Sequence, residues 1–366
     1  MLKRLYVHNY KALVNFELRF EGHALLMGAN GAGKSSVLEV LSLLRRVIVD
    51  GDRIAECLPS ATVTRWGDHK VQRFEIDLEV GDDAFHYEML AMDSLVTNET
   101  LRAGADVLFS GAGDQGELYR DDGAPGTAVL RDWERSTIPI IRAGLVHARL
   151  LRFREALRRC LVIRPNPIAM TGRAETEARA PAPDLSNFAS WCRHLLQETP
   201  DAMQRAIEAA REVLPGFRSL SIRNVKDQDV RMLISKWDPG AASNSRDAVE
   251  FGFGELSDGQ RVILGLVSVL AWAEQAPSTI LLDEPENYVA LAEVQPLLKT
   301  LLDSNGVQVI VASHHPEFLN EMAVESGIRF SRTANGPVRV DKFSMPAGSR
   351  LTASQFIANR LDDGNG

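Results

Sequence analysis

The order of apolar and polar positions predicts strands and helices that alternate along this chain. Residues 5–20 alternate loosely, which predicts two short strands. The apolar run 24–27 predicts a buried strand, and a glycine-rich turn follows it. Beyond the turn, Val37, Leu41 and Leu44 recur at helical spacing and predict an amphipathic helix.

The middle of the chain mixes both patterns. Residues 71–91 alternate with period two and predict strands, whereas glycine and aspartate dominate 97–130 and predict loops or a hairpin insertion. Helical spacing returns at 147–161 and at 199–214, and 217–237 is strand-like. The sequence shows no long heptad run, so no extended coiled coil is expected.

The C-terminal third contains the most apolar elements. Residues 262–273 form one almost continuous apolar run, which predicts a buried helix. Two solidly apolar strands at 278–283 and 307–312 are separated by a predicted helix at 292–302. Strands of this kind are typical of a parallel sheet covered on both faces, so an α/β fold is predicted.

Composition narrows the class of protein. The chain has 366 residues and a net charge of −8, which excludes a globally basic nucleic-acid coat. Its three cysteines are scattered and include no Cys-x-x-Cys pair, which fits a reducing cytoplasm. Because a membrane span needs about 20 apolar residues, the run 262–273 is too short, and no membrane insertion is expected.

The glycine-rich turn carries the clearest chemistry. Residues 28–35 fit the phosphate-loop pattern G-x-x-x-x-G-K-[ST], between a predicted strand and a predicted helix. Lys34 is expected to neutralise the β- and γ-phosphates of a nucleotide, and the Ser35 hydroxyl to ligate Mg²⁺. The residues expected to contact the nucleotide here are Gly28, Asn30, Gly31, Ala32, Gly33, Lys34, Ser35 and Ser36.

Two acids follow the strand at 278–283. Asp283 is placed to hold Mg²⁺ through water, and Glu284 to activate the attacking water as general base. The alternative is an ordinary acidic loop after a strand, which the complete phosphate loop disfavours. His314, just past the strand at 307–312, is expected to donate a hydrogen bond to the γ-phosphate, the alternative being an ordinary surface histidine.

The start of the apolar helix is a second candidate anion site. Ser257 and Gly259 lie in the stretch Leu-Ser-Asp-Gly-Gln at 256–260, where a serine and a backbone-exposing glycine precede the helix. The alternative is that Ser257 only caps the helix.

Together these motifs resemble the ABC-type ATPases, in the SMC/RecF-like branch often described as AAA-family. The N-terminal lead 5–13, the Walker A loop, the signature 256–260, Walker B with its two acids and a histidine switch at 313–316 follow the order of that family. The resemblance implies an ABC-type P-loop head with a helical insertion. It divides the chain into head residues 1–90, an insertion at 91–250, head residues 251–345 and a tail at 346–366.

The resemblance also implies a partner and further contacts. ATP would lie between two copies of the chain, where Ser257 and Gly259 of one copy meet the γ-phosphate held by the other. Gln72 is the candidate for the family's metal-contacting glutamine. Residues 287–290 depart from the family's D-loop pattern.

The sequence does not decide between three possible functions. One is an ATP-gated machine that acts with DNA or RNA in repair or anti-phage defence, with a separately encoded effector. The others are a transporter motor subunit and a non-catalytic nucleotide switch. Arginines on the helix at 147–161 would contact nucleic acid or balance an acidic neighbour: Arg149, Arg152, Arg154, Arg158 and Arg159.

Overall fold

The structure is a computed structural model that describes most of the chain. The described residues are 1–67, 70–122, 124, 126–141, 145–225, 230–239, 247–333, 336–346 and 348–362. They divide into two compact units, which are described separately. The first unit holds Met1–Leu161, Pro277–Thr279 and Met322–Gly366, and the second holds Val162–Ala276 and Ile280–Glu321.

An eight-stranded sheet dominates the first unit. Its order is β2-β1-β4-β5-β6-β7-β8-β9, and every neighbouring pair is antiparallel. The alternation predicted for 71–91 is confirmed, because Phe74, Ile76 and Leu78 of β4 are buried, and only Val80 at its end is half-buried. The strands are β1 Leu2–His8, β2 Phe16–Arg19, β4 Gln72–Val80, β5 Asp83–Met92, β6 Leu95–Ala103, β7 Asp106–Ala112, β8 Gln115–Leu118 and β9 Thr127–Leu130.

A second group of elements in this unit surrounds the phosphate loop. Strand β3 (Ala24–Met27) precedes the loop and pairs in parallel with β17 (Gly327–Arg332), which pairs antiparallel with β18 (Val338–Lys342). Helix α1 (Lys34–Arg45) follows the loop, and its predicted apolar face is buried. The unit also contains a π-helical turn at Arg46–Asp50 and the helices α2 Ile54–Cys57, α3 Ala148–Arg158 and α9 Ala353–Asp362.

Helix α3 packs on the large sheet. The ring of Phe153 lies 5.7 Å from the ring of Phe85 and 5.8 Å from that of Tyr87, measured between centroids. The same sheet encloses a fully buried carboxylate, Glu99, which accepts hydrogen bonds from the Tyr87 hydroxyl at 2.8 Å, from the Thr137 backbone N–H at 2.8 Å and from the Ser136 hydroxyl. Burial raises the pKa of Glu99 above its ordinary value.

The second unit combines a small antiparallel sheet with long helices. Strand β13 pairs with β11, β12 and β14. The predicted apolar helix is α6, and twelve of its residues are buried. The elements are β11 Arg173–Ala174, α4 Phe188–Glu198, α5 Pro200–Val213, β12 Phe217–Asn224, β13 Arg231–Trp237, β14 Val249–Gly252, α6 Asp258–Ala273, α7 Leu291–Leu302, β16 Val307–Ala312 and, passing into the first unit, α8 Pro316–Ser326.

Two strands pass from the first unit into the second. They are β10 (Cys160–Ile163) and β15 (Ser278–Asp283). Strands β15 and β16 are hydrogen-bonded neighbours and every residue of both is buried, as predicted for a sheet covered on both faces.

The predicted insertion holds helices and also strands. Helices α3, α4 and α5 lie in 91–250, together with β6–β13, and β14 crosses the end of this range. The motif-based division of the sequence into head, insertion and tail stays a prediction. The tail contains α9, and residues 347 and 363–366 lie outside the described part of the chain.

Within the described residues, no helix has both the length and the apolar character needed to cross a bilayer. All three cysteines, Cys57, Cys160 and Cys192, are buried and unpaired. Burial raises the pKa of each thiol, in the case of Cys160 to about 12.

Candidate functional site

The phosphate loop joins β3 to α1 in the first unit. Gly31 and Gly33 have φ angles of +76° and +107°, which glycine adopts readily and other residues rarely do. At Gly33 a side chain is also excluded by space, because a Cβ atom would lie 2.5 Å from Cγ2 of Val338 on β18. Gly33 is thus a glycine that both the motif and the space require, whereas Gly31 stands at a position that the motif leaves open.

Lys34 points back over this loop. Its ammonium Nζ donates hydrogen bonds to the backbone carbonyls of Gly28 at 2.6 Å and Ala29 at 3.3 Å. No acidic residue occupies the first turn of α1, so the positive end of the helix dipole is not offset there. The side chain of Ser35 is exposed at the same end of the helix. A positive helix end, a lysine and a hydroxyl fit a polyphosphate with its magnesium ion.

Gln72, the candidate metal-contacting glutamine, lies at the start of β4. Its side chain is buried, and Nε2 donates to the carbonyl of Asn9 at 3.1 Å and to Oγ1 of Thr62 at 3.3 Å. The amide nitrogen therefore holds the N-terminal lead, and only Oε1 is the kind of atom that binds Mg²⁺. The metal role of Gln72 stays a prediction.

The two acids of Walker B lie where β15 ends, in the second unit. Asp283 is buried, and the Nε atom of Arg164 lies 3.8 Å from its Oδ2 atom. Glu284 has a left-handed backbone with φ of +49°, and its N–H donates to the carbonyl of Ala312 on β16 at 2.8 Å. The backbone turn at Glu284 is thus hydrogen-bonded to the neighbouring strand. The metal role of Asp283 stays a prediction, since a bound Mg²⁺ would share this carboxylate with Arg164.

The carboxylate of Glu284 is held by a residue that the sequence reasoning did not single out. Nδ2 of Asn287 donates to Oε2 of Glu284 at 2.8 Å. This hydrogen bond orients the carboxylate of the predicted general base. Asn287 stands in the stretch that departs from the family's D-loop pattern.

A second carboxylate, Glu286, links this turn to the histidine segment. The Ser313 hydroxyl donates to Oε1 of Glu286 at 2.5 Å and accepts from the backbone N–H of His315 at 3.0 Å. Burial raises the pKa of Glu286. The sequence places Glu286 two residues after the general base, but nothing in the pattern indicates that Ser313 would be its partner.

The adjacent histidines occupy different environments. Nδ1 of His315 accepts a hydrogen bond from the Glu317 backbone N–H at 3.2 Å, so this ring caps the start of α8. His314 is exposed. Of the two, His314 is the more exposed, and its role as a γ-phosphate sensor stays a prediction.

The signature stretch begins α6 with a reciprocal cap. Oγ of Ser257 accepts from the Gln260 backbone N–H at 3.3 Å, and Oε1 of Gln260 accepts from the Ser257 backbone N–H at 3.0 Å. Gly259 is buried against the backbone of Tyr288. Both residues thus have structural roles within their own chain, and their contact with a nucleotide on a second copy stays a prediction.

The predicted arginine face of α3 is largely neutralised within the first unit. Arg149 lies 3.0 Å from Asp83 and 2.8 Å from Asp106, and Arg152 lies 2.8 Å from Asp83. These ion pairs favour the interpretation in which the arginines balance acidic neighbours, and nucleic-acid binding by this helix stays a prediction. The other three also have partners in the chain: Arg154 with the Ile141 carbonyl, Arg158 with Glu155, and Arg159 with Ser278.

Among the residues that the structure describes, no cluster of three or more histidine, cysteine, aspartate or glutamate side chains could hold a metal ion. A metal site built from one carboxylate, one hydroxyl and phosphate oxygens does not need such a cluster, because Mg²⁺ commonly takes few protein ligands.

Solved structures of SMC heads have the same fold as this chain. An SMC head bound to the C-winged helix domain of ScpA is 15% identical, with a TM-score of 0.60 and coverage of 94% of this chain and 98% of that chain. The SMC head domain from Thermotoga maritima is 12% identical, with a TM-score of 0.51. The match covers 94% of this chain and 99% of that chain. A head with an extended coiled coil, bound to the C-terminal domain of ScpA and derived from Pyrococcus furiosus, is 12% identical, with a TM-score of 0.56 and coverage of 100% and 99%.

A family model also matches residues 190–320, less than half of the chain, and is described as "AAA domain, putative AbiEii toxin, Type IV TA system". No curated protein matches the chain. The fold is that of SMC head domains, which confirms the predicted α/β class and, at the level of the fold, the resemblance to the SMC branch.

Proposed function

We propose that this chain is a Mg²⁺-dependent ATPase whose two copies close around ATP. One observation supports the proposal most strongly: a complete phosphate loop joins β3 to α1, with Lys34 folded over it, in a chain with the fold of an SMC head. Glycine conformations, a lysine and an uncompensated helix end together provide the donors that a polyphosphate needs.

Each side chain has a specific role in the proposal. Lys34 neutralises the β- and γ-phosphates, while Ser35 and Asp283 hold the metal, with Gln72 as a further candidate ligand. Mg²⁺, when bound, offsets charge on the β- and γ-phosphate oxygens. Glu284, oriented by Asn287, accepts a proton from the attacking water, and His314 donates to the γ-phosphate.

The proposed dimer rests on the resemblance, which assigns further donors for the γ-phosphate to a second copy. Ser257 and Gly259 are placed at the start of a long helix, and the resemblance assigns them to the γ-phosphate bound by the partner copy. Binding of ATP then joins two copies, and hydrolysis separates them.

The proposed cellular setting is nucleic-acid repair or anti-phage defence. We place the protein in the cytoplasm, as an ATP-gated component of nucleic-acid repair or anti-phage defence that works with a separately encoded effector. The description of the matching family, which names a toxin–antitoxin system, supports the defence role more than transport. Nucleic acid remains a candidate partner.

Two variants test the proposal. Lys34→Ala should lose ATP binding, measured by calorimetry, because the phosphates lose their neutralising charge. Glu284→Gln should bind ATP, hydrolyse it at least about 100-fold more slowly, and accumulate as a dimer by light scattering. Wild-type protein that does not bind ATP would refute the ATPase proposal, and a Glu284→Gln protein that stays monomeric with ATP would refute the dimer.

A further inference from the structure

A carboxyl group in the turn after β15 has no part in the chemistry proposed above. Glu286 follows Glu284 by two residues, and its Oε1 atom accepts a hydrogen bond from the Ser313 hydroxyl at 2.5 Å. Its other carboxyl oxygen, Oε2, is shielded from solvent and meets no hydrogen-bond donor among the residues that the structure describes. One oxygen of this carboxyl group is therefore buried without a partner.

A buried carboxyl oxygen without a partner is unfavourable for folding. The atom loses its hydrogen bonds to water and gains none from the protein, so it carries the full cost of desolvation. Stability alone would favour an apolar side chain of similar size at this position. A buried polar group that is kept at such a cost calls for a role in the site around it.

Ser313 connects Glu286 to the histidine segment. It is fully buried directly after β16, and its Oγ atom accepts a hydrogen bond from the backbone N–H of His315 at 3.0 Å. The hydroxyl thus gives its single proton to the carboxyl group and a lone pair to the backbone. Because His314 lies between the two residues joined in this way, the backbone on both sides of it is held.

A backbone hydrogen bond joins the same two segments. The N–H of Glu284 donates to the carbonyl of Ala312, at the end of β16, at 2.8 Å. The N–H of Val289 donates to the carbonyl of Glu286 at 2.9 Å, which closes the turn that carries this side chain. The turn with the predicted general base and the histidine segment are therefore joined twice, once through the backbone and once through the Glu286 side chain.

We propose that Glu286 is a positioning residue, which acts through the Ser313 hydroxyl to hold His314 where it donates to the γ-phosphate. The inference rests on the proposed function, because it needs His314 to act on a bound nucleotide. Loss of the hydrogen bond between Glu286 and Ser313 should slow turnover and leave ATP binding unchanged, since neither side chain is a ligand of the nucleotide in the proposed site.

The test measures kcat and ATP affinity for single variants of the full chain. Glu286→Ala and Ser313→Ala each break the hydrogen bond and should lower kcat by about 10- to 100-fold, the usual loss for one hydrogen bond to a charged group, without a change in ATP affinity. Glu286→Gln keeps an acceptor oxygen for Ser313 and should retain most of kcat. The control is Glu321→Ala, which removes an exposed glutamate of α8 and should match wild type.

A double variant shows whether the effect passes through His314. In the His314→Ala background the histidine no longer acts, so adding Glu286→Ala should lower the single-turnover rate by less than about twofold. Equal fractional losses in the two backgrounds would overturn the inference, because Glu286 would then act on another group. If circular dichroism shows that Glu286→Ala does not fold, Ser313→Ala makes the same comparison with the loss of a single oxygen atom.

The outcomes separate this inference from the ATPase proposal. If wild-type protein hydrolyses ATP and Glu286→Ala does so equally fast, the inference fails and the ATPase proposal stands. If Glu286→Ala loses ATP affinity and kcat together, Glu286 supports the fold of the site, and its role in positioning His314 is refuted. If wild-type protein neither binds nor hydrolyses ATP, the ATPase proposal fails and takes this inference with it.

Discussion

The backbone carbonyl oxygen of Tyr288 lies 2.6 Å from the point that a Cβ atom on Gly259 would occupy. Tyr288 has a φ of +73°, a left-handed conformation that is uncommon for a bulky residue. The loop that follows Asp283 and Glu284 thus contacts the first turn of α6 through its backbone. The glycine of the signature is required by the packing of its own chain, whatever it contacts on a second copy.

The first prediction concerns this contact. Gly259→Ala should destabilise the protein by about 1–3 kcal/mol, because the carbonyl must move to admit a methyl group. ATP turnover should also fall, since the displaced loop carries Glu284 and Asn287. Thermal unfolding and a phosphate-release assay measure the two effects. Gly254→Ala is the matched control, because a Cβ atom there meets nothing within 4 Å. Equal melting temperatures for the two variants would contradict the prediction.

The second prediction concerns the hydrogen bond from Asn287 to Glu284. Asn287→Ala should lower kcat about 10-fold, which corresponds to the loss of one hydrogen bond to a charged group, and leave ATP affinity unchanged. Single-turnover hydrolysis and equilibrium binding separate the two quantities. Asn224→Ala changes an exposed asparagine at the end of β12 and should behave as wild type. A loss of affinity without a change in kcat would show that Asn287 does not orient the base.

Local patterns predicted the elements but not the contacts between distant parts of the chain. The phosphate loop, the buried strand that ends at Asp283 and the apolar helix α6 follow from periodicity and motif spacing, because each depends on neighbouring residues. The link between Glu286 and Ser313 joins residues 27 positions apart, and Arg332 reaches Gly31 over 301 positions. No repeating pattern encodes such pairs, so they become visible only in the folded chain.

The arginines of α3 also form contacts with distant residues that the sequence pattern does not predict. The sequence left open whether they contact nucleic acid or acidic neighbours, because Asp83 and Asp106 are distant in the chain. The fold brings both carboxylates to Arg149.

The third prediction uses this pairing. Arg149→Gln should lower the free energy of unfolding by about 1–3 kcal/mol, because Asp83, whose side chain is only 12% exposed, loses a charged partner. Arg158→Gln breaks an exposed pair with Glu155 and should change stability by less than about 1 kcal/mol. Chemical denaturation of both variants measures the difference. If the two variants lose similar amounts of unfolding free energy, the ion pair with Asp83 contributes no more to stability than the exposed pair does.

The fourth prediction is a pH dependence that originates at Glu99. Burial raises its pKa above the ordinary value of 4.5, so the folded state holds this proton more tightly than the unfolded chain does. Its contribution to stability is therefore complete below about pH 4.5 and is lost as the pH rises through the raised pKa. Glu99→Gln cannot titrate, and its melting temperature relative to wild type should increase as the pH rises above 4.5.

Melting curves at several pH values test this sign. Glu117→Gln replaces an exposed glutamate on β8 of the same sheet, and its melting temperature relative to wild type should hardly change with pH. If the melting temperature of Glu99→Gln relative to wild type stays constant or falls with increasing pH, the pKa of Glu99 is not raised.

The buried thiols have a practical consequence for experiments on the proposed dimer. Because Cys57, Cys160 and Cys192 are all enclosed and their pKa values are raised, a maleimide reagent reacts with them only slowly. A single cysteine introduced at an exposed position therefore becomes the one fast-labelling site in an otherwise native background. Fluorescent dyes, spin labels or bifunctional cross-linkers can then follow the approach of two copies without first removing the natural cysteines.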